Sequence, residues 1–173
     1  MKQENLSDIC KTEAISLGLC SQWAEEWEDN STKDVLIDKY LRGIDFCLKH
    51  NFPSVDFIKE KFGEAASNRG IFCDQSIVRR NDKMLVLLGN CTCSLVMDGR
   101  IGEVYIRHGS ELTLTAQNGA KVWINALDFS KVKIKTDEQS KVYVHNYGDA
   151  EIEKDENVSL VNRKGFFGES MRR

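Results

Sequence analysis

A ten-residue alternation of apolar and polar positions runs through the second half of the chain. Each repeat begins with a small residue, and these residues are Ser110, Ala120, Ser130, Ser140 and Ala150. An apolar–polar–apolar triplet follows two positions later, and its period of two predicts a short β-strand with one face toward a core. Lys154 interrupts the last triplet. Earlier triplets at spacings of about eight to ten residues extend the pattern, so about eight strands are predicted between residues 84 and 154.

Two architectures accommodate strands at this spacing: an antiparallel meander or barrel, and a parallel β-helix. The central residues of alternate triplets help to distinguish them. One set of centres is aromatic and the other is not: Tyr105, Trp123 and Tyr143 alternate with Thr113, Lys133 and Glu153. Because like residues recur after about twenty residues rather than about ten, the pattern favours a parallel β-helix of about four coils with two strands per coil.

The first half of the chain has helical periodicity. Apolar residues at helical spacing predict a core helix from about Thr32 to His50 and a shorter helix from Val55 to Phe62. The expected fold class is therefore α+β. It comprises an N-terminal helical cap over residues 1–72, a short parallel β-helix (a β-solenoid) over 73–161 and a basic tail over 162–173.

The centres of the aromatic triplets are the candidate functional surface. In a β-helix they are expected to form an outward ladder, with a polar column two positions further along: Tyr105, Trp123 and Tyr143, then Arg107, Asn125 and His145. An exposed aromatic ladder is typical of a contact surface. Four roles stay open for it: burial under other parts of the chain, a homodimer or protein-partner interface, a groove for a sugar or other extended ligand, and catalysis.

Composition and motifs limit the expected chemistry. The net charge of −3 does not favour nucleic acid or an anionic membrane as a partner. The longest apolar run, Met84–Leu88, is too short to span a bilayer. No secretion signal is recognised and the six cysteines form no C-x-x-C pair, so we expect reduced thiols and a cytoplasmic location. No phosphate loop, nucleophile elbow or metal-binding motif is present, so no catalytic residue, metal or cofactor is expected.

The basic tail contains Phe166 and Phe167 between glycines. Adjacent aromatic residues in a basic segment resemble a docking peptide. A tail folded back onto its own domain is the alternative, and the sequence does not choose between the two.

Several segments carry a resemblance to other proteins: Gly18–Trp23, Tyr40–His50, Pro53–Ile58, Gly70–Phe72 and Val104–His108. They resemble uncharacterised proteins of Bacteroides-type gut bacteria, which place a helical head before a repetitive strand region. That resemblance implies the same organisation here, and it assigns no activity and no functional residue. In repeat type the strand region is also similar to bactofilins, cytoskeletal β-helices that polymerise end to end, although the helical head and the charged final triplet depart from their pattern.

These observations predict a non-catalytic interaction or scaffold module that works as a monomer or homodimer through one aromatic face of the solenoid. The expected partner is a protein or a second copy of the chain. The alternative is a carbohydrate-binding or carbohydrate-processing β-helix, with a carbohydrate as ligand.

Overall fold

The computed structural model describes residues 5–163, so the predictions for Phe166 and Phe167 lie outside the described residues. The chain divides into two compact units, of which the first ends at Arg69 and the second begins at Gly70. Within the described part of the chain, no helix combines the length and the hydropathy needed to cross a bilayer.

The first unit is helical. Its elements are α1 (Leu6–Ser16), α2 (Ser21–Glu25), α3 (Lys33–Arg42), α4 (Ile44–His50), α5 (Val55–Phe57), a π-helical turn (Ile58–Phe62) and α6 (Glu64–Ser67). The single helix expected from about Thr32 to His50 is therefore wrong in one respect, because it is divided at Gly43. A Cβ atom at Gly43 would lie 3.5 Å from the Trp23 ring, so this glycine lets the indole approach the backbone closely.

The second unit is a parallel β-solenoid of about five turns, with about 19 residues in each turn. Its strands are β1 (Ile71–Cys73), β2 (Ser76–Arg80), β3 (Met84–Leu88), β4 (Thr92–Asp98), β5 (Ile101–Ile106), β6 (Glu111–Gln117), β7 (Lys121–Ala126), β8 (Lys131–Thr136), β9 (Lys141–Asn146), β10 (Glu151–Glu153) and β11 (Val158–Asn162). Odd-numbered strands form one parallel sheet, called sheet A, and even-numbered strands form another, called sheet B. The predicted parallel β-helix is confirmed, and the antiparallel alternative is wrong. The solenoid is longer than the expected four coils because β1, β2 and β11 extend it.

Aliphatic ladders fill the space between the two sheets. Equivalent inward residues of successive coils lie side by side, as in the pairs Leu112–Val132, Leu114–Ile134, Val122–Val142 and Ile124–Val144. All eight of these side chains are buried. Because each coil covers the apolar face of the next, the stack of coils supplies the core that a single coil lacks.

The small residues of the ten-residue pattern lie at the corners. Ser110, Ala120, Ser130 and Ser140 are completely buried. The Ser110 hydroxyl accepts a hydrogen bond from the Cys91 backbone N–H at 3.2 Å, and the Ser140 hydroxyl accepts one from the Ala120 N–H at 3.1 Å. The small residues therefore fit the tight corners, and two of the serines also accept backbone hydrogen bonds there.

The cysteines are free, and five of the six are buried. Cys91 and Cys93 both face the solenoid core, as their alternation with Thr92 predicts. Burial raises the pKa of the Cys10 and Cys93 thiols to about 12. These thiols consequently remain protonated at neutral pH and act as small apolar side chains.

Candidate functional site

The outward face of sheet A carries five of the six predicted site residues, in a different register from the one expected. Trp123 pairs with Tyr143 across β7 and β9, as predicted. Tyr105 pairs with Asn125 instead, and Glu103 takes the position beside Trp123. The expected three-residue aromatic ladder is therefore wrong at Tyr105, which lies one column away.

An inward glycine explains this displacement. The sequence pattern aligned Val104 with Val122, but the structure pairs Gly102 with Val122. A Cβ atom at Gly102 would lie 2.7 Å from Met97 Cε. The Met97 side chain thus occupies the space that an inward side chain at Gly102 would need. As a result, the apolar triplet that the sequence shows in β5 begins at Val104, two residues after the position that pairs with Val122.

The aromatic pair consists of Trp123 and Tyr143. Their ring centroids are 5.4 Å apart and their planes are inclined by 19°, which is a stacked arrangement. Trp123 is 39% exposed, whereas Tyr105 is only 8% exposed. Because the two rings are stacked, each covers one face of the other, and the ring edges and polar atoms lie toward the outside of the sheet.

Glu103 organises the column beside the aromatic pair. Its Oε1 atom accepts a hydrogen bond from the Tyr105 hydroxyl at 2.9 Å and another from Asn125 Nδ2 at 3.2 Å. Glu103 was not predicted from the sequence. It lies two residues before Tyr105 and therefore on the same face of β5, so it can be identified once the register of β5 is known. The carboxylate is held toward the Tyr105–Asn125 column by these two donors.

His145 continues the Asn125 column and lies 3.3 Å from the Tyr147 hydroxyl through Nδ1. Burial, followed by the positive charge of Arg163, lowers the pKa of His145 below its usual value. The imidazole is therefore neutral at pH 7 and contributes hydrogen-bonding groups rather than charge to this surface.

The third member of the predicted polar column, Arg107, lies elsewhere. It follows the end of β5, and its Nε donates a hydrogen bond to Asp128 Oδ2 at 2.8 Å. The backbone N–H of His108 donates to the same oxygen at 3.1 Å, and His108 Nδ1 accepts from the Gly89 N–H at 2.9 Å. The predicted column Arg107–Asn125–His145 is therefore wrong at Arg107, which stabilises a corner of the solenoid.

Two lysines flank the aromatic pair and were not singled out by the sequence. Lys121 and Lys141 are direct neighbours on β7 and β9, in one column with Ile101. Both lysines are exposed, and Ile101 is 66% exposed. We call the surface formed by Ile101, Lys121, Trp123, Lys141 and Tyr143 the aromatic–lysine patch.

The outward charges of sheet B follow a different rule. Lys131 lies 3.4 Å from Glu111, and Lys133 lies 3.6 Å from Glu153. Lys131 and Lys133 therefore each have an anion in an adjacent coil, whereas exposed Lys135 of the same strand lies beside Thr115. Within residues 5–163, Lys121 and Lys141 make no such ion pair.

Candidate chemistry beyond binding has little support from the side chains. Among the described residues, no group of three or more His, Cys, Asp or Glu side chains is placed to hold a metal ion. Comparison of the chain with protein-family models, with curated proteins and with solved structures finds no match. The class that the fold defines is a β-solenoid preceded by a helical unit, and the aromatic–lysine patch is its candidate functional surface.

Proposed function

We propose that this chain is a non-catalytic protein-interaction module that binds its partner through the aromatic–lysine patch. The observation that carries the proposal is the Trp123–Tyr143 stack on the outward face of sheet A, in which Trp123 is exposed and Tyr143 is half-buried. Tryptophan and tyrosine are enriched at protein interfaces because they bury large apolar areas with few rotatable bonds. Exposed Ile101 extends the apolar part of the same surface.

A different protein suits the patch better than a second copy of the chain. A two-fold dimer places the same surface on both sides of its interface. Such a dimer through this patch would place Lys121 and Lys141 of both copies in one interface, and the patch itself contains no carboxylate to neutralise them. Like charges in a partly dehydrated interface repel each other, so charge favours a heterologous partner.

The carbohydrate alternative has weaker support from the geometry. Sugar rings bind aromatic side chains through open ring faces, and the Trp123–Tyr143 stack uses one face of each ring internally. Glycoside hydrolysis generally employs a pair of carboxylates. Within the described strands of sheet A, Glu103 is the single acidic residue, and it is engaged by Tyr105 and Asn125.

Site-specific photocrosslinking in the source cells tests the proposal. A photoreactive apolar amino acid replaces Ile101 on sheet A in one variant and Val78, an exposed apolar residue of sheet B, in a matched control, so both lysines stay in place. We expect a discrete crosslinked protein from position 101 and none from position 78, with the partner identified by mass spectrometry. Equal crosslinking from both positions, or crosslinking from neither, would refute the patch as the binding surface. A crosslinked dimer of the chain itself would refute the heterologous partner.

A further inference from the structure

The lysine pair is a charge arrangement that the solenoid itself does not neutralise. Lys121 and Lys141 stand on adjacent parallel strands, whose backbones are about 4.8 Å apart. Like charges directly opposite each other destabilise a sheet. Sheet B avoids this cost, because Lys131 and Lys133 each have a glutamate in the neighbouring coil. The lysine pair is therefore a site at which an external anion lowers the free energy.

The polar groups of the patch are mainly hydrogen-bond donors. Each lysine ammonium carries three N–H donors, and the indole Nε1 of Trp123 is a donor only. Within the described residues, neither Trp123 nor Tyr143 makes a side-chain hydrogen bond, and Glu103 is turned to Tyr105 and Asn125. A ligand that complements this surface supplies acceptors, and carboxylates combine acceptors with the required charge.

The apolar groups of the patch indicate what kind of anion this is. Nucleic acid bases and sugar rings stack on open aromatic faces, and the Trp123–Tyr143 stack already uses one of the two faces of each ring. Ile101 and the ring edges offer apolar contacts within reach of the lysines. An extended peptide presents side chains of one face about 6.6–7 Å apart, a spacing that long lysine side chains can follow.

From this combination we infer that the aromatic–lysine patch takes an extended, acidic segment of another protein, with carboxylates on Lys121 and Lys141 and apolar side chains on Ile101 and the ring edges. The inference rests on the proposed function, because it names the partner class for the same surface. Charge complementarity decides the occupant, since the patch has two unpaired cations and no unengaged anion among the described residues.

Binding of defined peptides to the full chain tests the inference. The probes are three fluorescein-labelled ten-residue peptides in which valine alternates with glutamate, glutamine or lysine, and the readout is fluorescence anisotropy at low and physiological salt. The variant Lys121→Gln with Lys141→Gln is compared with a matched sheet B variant, Lys131→Gln with Lys133→Gln. We expect only the glutamate peptide to bind. Binding should weaken about tenfold in the sheet A variant and less than about twofold in the sheet B variant, because tenfold corresponds to two modest ion pairs.

Four results would overturn the inference. Equal binding of the glutamine peptide would remove the need for charge, and equal weakening in both double variants would reduce the effect to general attraction. Stronger binding of polygalacturonate than of the glutamate peptide would assign the patch to an acidic polysaccharide. Crosslinking from position 101 without glutamate-peptide binding would refute only the acidic segment, whereas peptide binding without crosslinking would refute the proposed function in the cell.

Discussion

A double-mutant cycle on Trp123 and Tyr143 separates the contribution of their stack to folding from its role as a contact surface. Trp123 is 39% exposed, so its side chain buries about 140 Å². At about 25 cal/mol per Å² this area corresponds to an upper value of about 3.5 kcal/mol. Compactness of the denatured chain and side-chain entropy reduce the expected loss in Trp123→Ala to about 2 kcal/mol. The 5.4 Å stacked geometry predicts a coupling of about 0.5–1 kcal/mol between the two rings.

Urea unfolding followed by circular dichroism measures the free energy of unfolding for the wild type, both single variants and the double variant. Lys133→Ala is the control, because this exposed residue lies at the same place on sheet B and forms an ion pair with Glu153 that contributes less than about 1 kcal/mol. A loss above about 4 kcal/mol in Trp123→Ala would show that the residue is a core element rather than a surface element. A coupling of zero within error would refute the stack itself.

Three further predictions concern the corner, the core and the lysine pair. Burial lowers the pKa of His108, and its Nδ1 accepts the Gly89 N–H, so the native state holds it neutral. Its contribution to stability is therefore complete above about pH 6.5 and declines as the pH falls below that value, because the unfolded chain then binds a proton that the native chain excludes. Urea unfolding at pH 7.5 and 5.5 should show this decline, and it should be smaller in His108→Asn, which keeps an acceptor and tolerates the positive φ of 60°. Leu114→Ala should lower the free energy of unfolding by about 3–5 kcal/mol, because Leu114 is completely buried between neighbouring coils, and a loss below about 1 kcal/mol would contradict the ladder. Lys141→Glu should raise the free energy of unfolding by a few tenths of a kcal/mol by pairing with Lys121, and should abolish glutamate-peptide binding; a lower stability would contradict the repulsion that we assign to the lysine pair.

The sequence predicts the solenoid best where each coil has the same length. Ser110, Ser130 and Ala150 recur at a constant spacing, and in this region the outward column Thr113, Lys133 and Glu153 appears in the structure as expected. The alignment fails at β5, where Gly102 occupies an inward position. Met97, from β4 of sheet B, fills the space that the glycine leaves in the core. The periodicity of a single strand cannot predict this, because it does not show which residue of the other sheet lies opposite.

The first coil is difficult to recognise for a related reason. Arg79 of β2 occupies the register position of Leu95, which is an inward apolar position in the next coil. Its guanidinium lies 5.4 Å from the centre of the Phe72 ring and bonds to Asp82, so a charged residue fills an apolar position at the end of the stack. β1 is buried at all three positions and does not alternate. Both strands therefore lack the period-two pattern that identifies the central coils.

The candidate site is harder to predict from the sequence than the fold. The site depends on which residues of different coils become neighbours, and the sequence pattern does not show this directly. Trp123 and Tyr143 were recognised since aromatic residues are conspicuous, whereas Lys121 and Lys141 look equivalent to Lys131 in the ten-residue pattern. Only the pairing of strands two apart shows that Lys131 meets Glu111 while Lys121 meets Lys141. The same repeat thus places lysine beside glutamate in one sheet and lysine beside lysine in the other. A local departure from a pairing found elsewhere in a structure is the kind of exception expected at a functional surface, and here it lies beside the Trp123–Tyr143 stack.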